Sequence, residues 1–219
     1  MPIDENCTAH HEAGHAVLAY ESIGAEATES LSIVPGSDYL GVHVNSDAFQ
    51  AKVQKLMGFV EGGVVGLRAE AEAEGDPTYD DWDDDQINAE AARLEHECDL
   101  RVDVCLAGRV AEKVFCRIPN DTTPDSDWWL AKEWASKLGR CPAVADVMDC
   151  QPYFDSRQKT VSELLDGKYR KAVEALAEQL LVKKTISGAK VTRIITSSFL
   201  PELADGAENS YDWNASSFL

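Results

Sequence analysis

No run in this 219-residue chain approaches the roughly 20 consecutive apolar residues that a bilayer-spanning helix requires. Basic residues are also scarce, with 20 Lys and Arg against 39 Asp and Glu, for a formal net charge of −19. Such a field repels phosphate backbones and anionic lipid, so nucleic acid and membrane surfaces are excluded as partners. The segment Met1-Pro2-Ile3-Asp4-Glu5-Asn6 has no basic region leading into an apolar stretch, unlike a secretory leader, and the expected location is the cytoplasm. No CxxC pair occurs among Cys7, Cys98, Cys105, Cys116, Cys141 and Cys150, which read as free, mostly buried thiols of a reducing compartment. The pattern GxxxxGK[ST] is absent as well, so this chain cannot hydrolyse ATP through a P-loop.

What is present suffices for a real core: hydrophobic residues make up 44% of the chain, in the range of ordinary globular domains. Ala13, Val17, Tyr20 and Ile23 recur at helical spacing, which predicts a helix from Asn6 or Thr8 to Ile23, stopped by Gly24. Two short alternating runs follow, around Leu31 and Ile33 and over Leu40, Val42 and Val44. Pro35-Gly36-Ser37-Asp38 lies between them and predicts a β-hairpin.

Phe49, Val53, Leu56, Val60, Val64 and Leu67 keep a helical period through several glycines. Glu70 to Asp85 reads as a solvated acidic loop; a calcium loop of the EF-hand type would need a glycine and a terminal glutamate that are missing at that spacing. A long helix is expected over Gln86–Phe115, with Ile87, Ala91, Leu94, Cys98, Val102, Cys105 (or Leu106) and Val110 as its stripe. Further helices are expected over Asp127–Leu138 and Val161–Val182, and a last ordered element over Ala189–Ser197. The expected class is mainly α (α+β): residues 1–200 as one domain with an acidic insertion at about 48–90, one small β-hairpin or sheet, and a polar tail over 201–219.

The chemistry sits in His11-Glu12-Ala13-Gly14-His15. Residues four apart on a helix lie one above the other, so both imidazoles can reach a single metal ion. Glu12 follows the first of them and can take a proton from a metal-activated water without binding the metal itself. His10 lies about 100° round the helix and reads as solvated or supporting. A catalytic zinc needs a third protein ligand, and spacing alone leaves Asp127, Asp125, Asp121, Glu95, His96 and Asp99 open.

Thr8-Ala9-His10-His11-Glu12-Ala13-Gly14-His15-Ala16 resembles the zinc motif of the FtsH family of ATP-dependent zinc metalloproteases. The likeness continues in order. Leu31-Ser32-Ile33-Val34-Pro35-Gly36 and Leu40-Gly41 resemble the strand after the zinc helix, and Leu106 to Phe115 resembles the Gly-Arg-x-Ala-Glu helix. Thr122-Thr123, Ser126-Asp127, Ala131 and Ala135 resemble the segment whose aspartate completes the zinc site, and Tyr169 to Gly188 resembles the closing helix. The match runs over about 8–47 and 98–196. The loop before Asp127 is one residue shorter than the family pattern, and the stretch 48–97 is longer.

The resemblance implies a peptidase domain, here without the family's ATPase module or membrane segments. Its metal would be Zn2+, with His11, His15 and Asp127 as ligands and Glu12 as general base in metal-activated water attack on a peptide bond. Expected substrates are unfolded polypeptides or peptides, cut without ATP by this chain alone, with a separate ATPase or unfoldase kept open as partner. The strand Leu40–Val44 can offer an edge to an extended substrate. A non-catalytic binding module, or a zinc hydrolase of non-peptide substrates, are the alternatives; oligomeric state is not legible.

Overall fold

A computed structural model describes residues 4–36, 41–74, 83–117, 126–141 and 147–199. In chain order the elements are α1 (Glu5–Ile23), β1 (Thr28–Ser32), β2 (Val42–Asn45), α2 (Asp47–Glu74), α3 (Asp84–Ala111), α4 (Ser126–Lys137), α5 (Val147–Asp166), α6 (Arg170–Lys183), β3 (Thr185–Ser187) and α7 (Gly188–Phe199). The class is mainly α with one small antiparallel sheet, as expected. Among the described residues no helix is long and apolar enough to cross a membrane.

Helix α1 is the centre of the fold, with Ala9, Ala13, Ala16, Val17, Leu18 and Ala19 fully buried. Its N-cap is Asp4, whose carboxylate accepts from the Asn6 amide, rather than Asn6 or Thr8. Gly24 ends it at φ +84°, a conformation that favours glycine, while its amide donates to the Tyr20 carbonyl. Small residues on α1 let α3 approach closely. A Cβ on Gly14 would stand 2.7 Å from the Ala107 carbonyl oxygen and 2.8 Å from the Ala107-side neighbour Ala111 Cβ.

Helix α3 carries two apolar faces. Val104, Ala107, Val110 and Ala111 join the main core around α1 and α6. Leu94, Cys98, Val102, Cys105 and Leu106 join a second cluster with Leu56 of α2, Trp128 and Trp134 of α4, and Phe154 of α5. Burying each large side chain of this kind contributes about 1.5–3 kcal/mol, so the helix that joins both clusters is anchored along most of its length. Beyond Ala111 it continues as a π-helical turn, Glu112–Cys116, ending at Arg117 with φ 56°.

The sheet has the order β2-β1-β3, with both pairings antiparallel. Leu31 stands opposite His43 on one side and Ile186 on the other. The hairpin is therefore as expected, whereas β3 was not foreseen, being a three-residue strand running straight into α7. Strand β2 is an edge.

Several local expectations are corrected. Helix α2 runs to Glu74 and α3 starts at Asp84, so both ends of the segment expected as an acidic loop are helix; 75–82 lie outside the described residues. Asp83 caps α3, accepting from the Gln86 amide at 2.9 Å while Gln86 Oε1 accepts from the Asp83 amide at 3.0 Å. The connection expected over Cys141–Asp155 is in good part helix, since α5 starts at Val147 and contains Pro152. Buried Cys150 and Phe154 and the bond from Tyr153 to Asp99 (2.7 Å) anchor that turn. The single helix expected over 161–182 is divided at Gly167–Tyr169 between α5 and α6, with Tyr169 buried in the core. Cys141 and Cys150 are not free thiols but form a disulfide, their Cα atoms 5.2 Å apart. The tail over 201–219 lies outside the described residues.

Candidate metal centre

Helix geometry stacks His11 and His15 on the face of α1 that meets α3, and α4 brings Asp127 to them from its first turn. Nε2 of His15 lies 3.1 Å from Nε2 of His11 and 3.1 Å from Asp127 Oδ2. Nε2 of His11 is 3.2 Å from the same carboxylate oxygen. Three ligand atoms thus form a nearly equilateral triangle. Donors about 2.0–2.2 Å from a tetrahedral zinc stand roughly 3.3–3.6 Å from one another, so the triangle is slightly smaller than one face of such a site.

The other ring nitrogens are occupied. His11 Nδ1 is 2.9 Å from Glu112 Oε1, and His15 Nδ1 is 2.7 Å from the Val104 carbonyl oxygen. Both partners are acceptors, so each Nδ1 donates to its partner, and with a metal bound each Nε2 would turn its lone pair to the common point. The floor beneath that point is Gly108. A Cβ there would stand 2.5 Å from Nε2 of both histidines, so only glycine leaves the space open. Two imidazole lone pairs, a carboxylate and a cleared cradle fit a divalent zinc-type cation.

Electrostatics agree with a cation at that point. Burial disfavours charge on His11, yet hydrogen bonds to Asp127 and Glu112 outweigh it and raise its pKa to about 10. For Asp127 burial works upward, but the two histidines hold its carboxyl far below the usual carboxylate range. A proton on His11 occupies, in this arrangement, the place a metal ion would take.

Glu12 is buried, at 5% exposure, beside the triangle. Burial raises its pKa above the ordinary 4.5, with His15 and His11 pulling the other way. Gly41, just before β2, packs against it: a Cβ there would come within 2.6 Å of Glu12 Oε1. A cavity of about 480 Å³ opens over Glu12 and the triangle, walled by β2, α3 and the start of α4. His43 of β2 faces into it; burial first, then His15 and Arg101, lower its pKa to about 3, so its ring is neutral. His43 Nε2 is 2.9 Å from Thr28 Oγ1.

No family model matches the chain. Against curated proteins it is 26% identical over 236 residues to the ATP-dependent zinc metalloprotease FtsH 4 of Sphaerobacter thermophilus, an alignment covering 93% of this chain and 30% of that protein. It is 28% identical over 208 residues to the ATP-dependent zinc metalloprotease FtsH of Thermotoga maritima, covering 90% of this chain and 32% of the relative. The ATP-dependent zinc metalloprotease YME1 homolog of Caenorhabditis elegans is 26% identical over 195 residues, covering 86% and 25%. The chain is similar to FtsH-family proteins over most of its length. It spans about a third or less of the length of these relatives.

Among the described residues, the other candidates considered from spacing, Glu95, Asp99 and His96, stand elsewhere. Glu95 pairs with Arg140 at 3.2 Å, and Asp99 accepts from the Tyr153 hydroxyl. His96 is exposed on α3. Asp121 and Asp125 lie outside the described residues. His10 is partly buried, stacked on Phe115 at 5.1 Å, with Nδ1 2.8 Å from the Asn6 carbonyl oxygen. Sequence reasoning passed over Glu112, Gly108 and Val104. The signal for the first two was present in Gly108-Arg109-Val110-Ala111-Glu112; the last acts through its backbone and leaves no trace in residue type.

Proposed function

We propose that this FtsH-like chain is a zinc-dependent metallopeptidase, with His11, His15 and Asp127 holding the metal and Glu12 serving as general base. Zinc held there supplies Lewis acidity, polarising a scissile carbonyl and acidifying a water toward neutral pH. The observation that carries the reading is the triangle of two Nε2 atoms and one carboxylate oxygen, 3.1–3.2 Å on a side.

Glu12 is suited to proton transfer rather than ligation. Its carboxylate is buried beside the triangle, and burial brings its pKa nearer to neutrality, where a base exchanges protons efficiently. Having accepted a proton from the attacking water, it can return that proton to the leaving amine. Glu112 and the Val104 carbonyl hold the two imidazoles in the tautomer and orientation that ligation needs. Strand β2 is an edge strand and forms a wall of the cavity, which supports docking of an extended peptide by β-addition.

Substrates on this reading are unfolded polypeptides or short peptides, cut without ATP, since nothing in the chain supplies a P-loop. A separate unfoldase would extend the range to folded proteins. The Cys141–Cys150 bridge weighs against a strongly reducing compartment, where such bonds are uncommon. Glu12→Gln tests the reading directly. The variant should keep zinc content and melting temperature but lose about 10²–10⁴-fold in cleavage of casein, and a chelator should abolish the wild-type activity. Equal cleavage by wild type and Glu12→Gln, or no cleavage by either, would replace the peptidase with a partner-binding module.

A further inference from the structure

The cavity contains a cation that the proposed chemistry does not use. Arg101 lies on α3, and one stripe of that helix runs along the cavity: Arg101, Val104, Gly108 and Glu112. The last three serve the histidines, through a carbonyl, an open floor and a carboxylate. Arg101 begins the same stripe seven residues before Gly108, about 10 Å along the helix axis. Its guanidinium carbon stands 5.1 Å from the centre of the Phe49 ring, which props it from behind.

The arginine is poorly satisfied. Its Nε is buried and has no hydrogen-bond partner, and among the described residues no carboxylate pairs with it. That is notable in a chain with 39 acidic residues against 20 basic ones. The residue is only partly buried, but a buried donor left without an acceptor is costly, and an anion at the guanidinium would offset that cost. Across the cavity Asn45 of β2 has a buried side-chain oxygen that likewise lacks a partner. Arg101 on α3 and Asn45 on the edge strand, each partly buried and each with one buried unpartnered atom, thus line the same space as the triangle.

Resting on the peptidase reading, we infer that Arg101 forms a subsite for a carboxylate of the bound peptide. The group is either a free C-terminus or a Glu or Asp side chain. An extended strand rises about 3.3 Å per residue, so the carboxylate sits roughly three residues from the bond over the metal. The chain's overall negative field opposes acidic ligands, but ionic screening confines that field to about 8–10 Å, and inside the cavity the local guanidinium prevails. Arginine presents a planar fork that matches a carboxylate with two parallel hydrogen bonds, which makes the subsite selective for that group.

The test uses fluorescein-labelled hexapeptide pools in matched pairs: C-terminal acid against amide, and Glu against Gln at each fixed position. Binding is measured on zinc-loaded Glu12→Gln protein, and kcat/KM on wild type. At least one acid pool should exceed its neutral twin by about tenfold, as expected for a charge-assisted pair. Which pair responds identifies the source as chain terminus or side chain. Arg101→Gln should bring that ratio to about one, while Arg101→Lys keeps part of it; a role confined to packing on Phe49 would not move the ratio. No acid preference on the unmutated Arg101, or a preference that survives Arg101→Gln, overturns the inference, and the first of these needs no variant at position 101. Carboxylate-selective binding without cleavage by wild type supports the subsite and overturns the peptidase reading. Cleavage without acid preference does the reverse.

Discussion

Glu112 Oε1 stands 2.9 Å from Nδ1 of His11, a contact between residues 101 positions apart. It joins the π-helical turn after α3 to the helix that carries HExxH, and it decides which nitrogen of His11 is free to bind a metal. Turns of this kind occur often at functional sites, where the extra residue re-aims a side chain.

Removing that acceptor should loosen the metal without emptying the site. Glu112→Ala is expected to lower zinc affinity by about 10–100-fold, the range found when such supporting partners are lost. Competition with a chromogenic chelator measures it. Unchanged affinity would remove Glu112 from the centre.

Gly108→Ala should act more severely, because its methyl would fall 2.5 Å from both Nε2 atoms. The variant is expected to fold and to retain little zinc. Gly62→Ala on α2 is the control: nothing lies within 4 Å of the added Cβ. There zinc should be unaffected and stability should rise by up to about 1 kcal/mol, the helix preference of alanine over glycine. Full zinc occupancy in Gly108→Ala would show that the cradle is not where the ion sits.

The choice of third ligand is open to a paired test. Asp127→Ala should strip most of the zinc. Glu95→Ala should leave zinc in place and change stability by less than about 0.5 kcal/mol, since its ion pair with Arg140 is exposed. Metal analysis that finds the reverse would move the site to α3.

Away from the centre, Asp103 has no exposed surface and accepts from Arg157 Nε at 2.8 Å and from Arg157 Nη2. This pair docks α5 on α3. Asp103→Ala strands the arginine and should cost about 3–5 kcal/mol of stability, read by urea unfolding. A loss under 1 kcal/mol would mean that Asp99, 3.9 Å from Arg157 Nη1, suffices as its counter-ion.

Legibility in the sequence followed the range of the interaction. The HExxH helix, its stop at Gly24, the hairpin and the apolar stripe of α3 all depend on residues a few positions apart, and each element formed where its pattern lay. The errors came where distant packing overrode local chemistry. Pro152 reads as a loop signal, yet Cys150, Tyr153 and Phe154 hold it in helix through contacts with other elements. Gly167 to Tyr169 divides a continuous helical period because Tyr169 turns inward to the core and its hydroxyl reaches Glu21 on α1.

By itself the sequence determined that two imidazoles share one helix face with a carboxylate beside them, because helical periodicity is a property of the backbone. It could not decide which acid meets them. Asp127 and His11 are 116 positions apart, and spacing carries no information about how α4 docks on α3 and α1. That choice, like the Val104 carbonyl behind His15, the floor at Gly108 and the place of Arg101 in the cavity wall, was made by helix packing. The packing is set by buried surface summed over both clusters, so no short stretch of residues could have specified it.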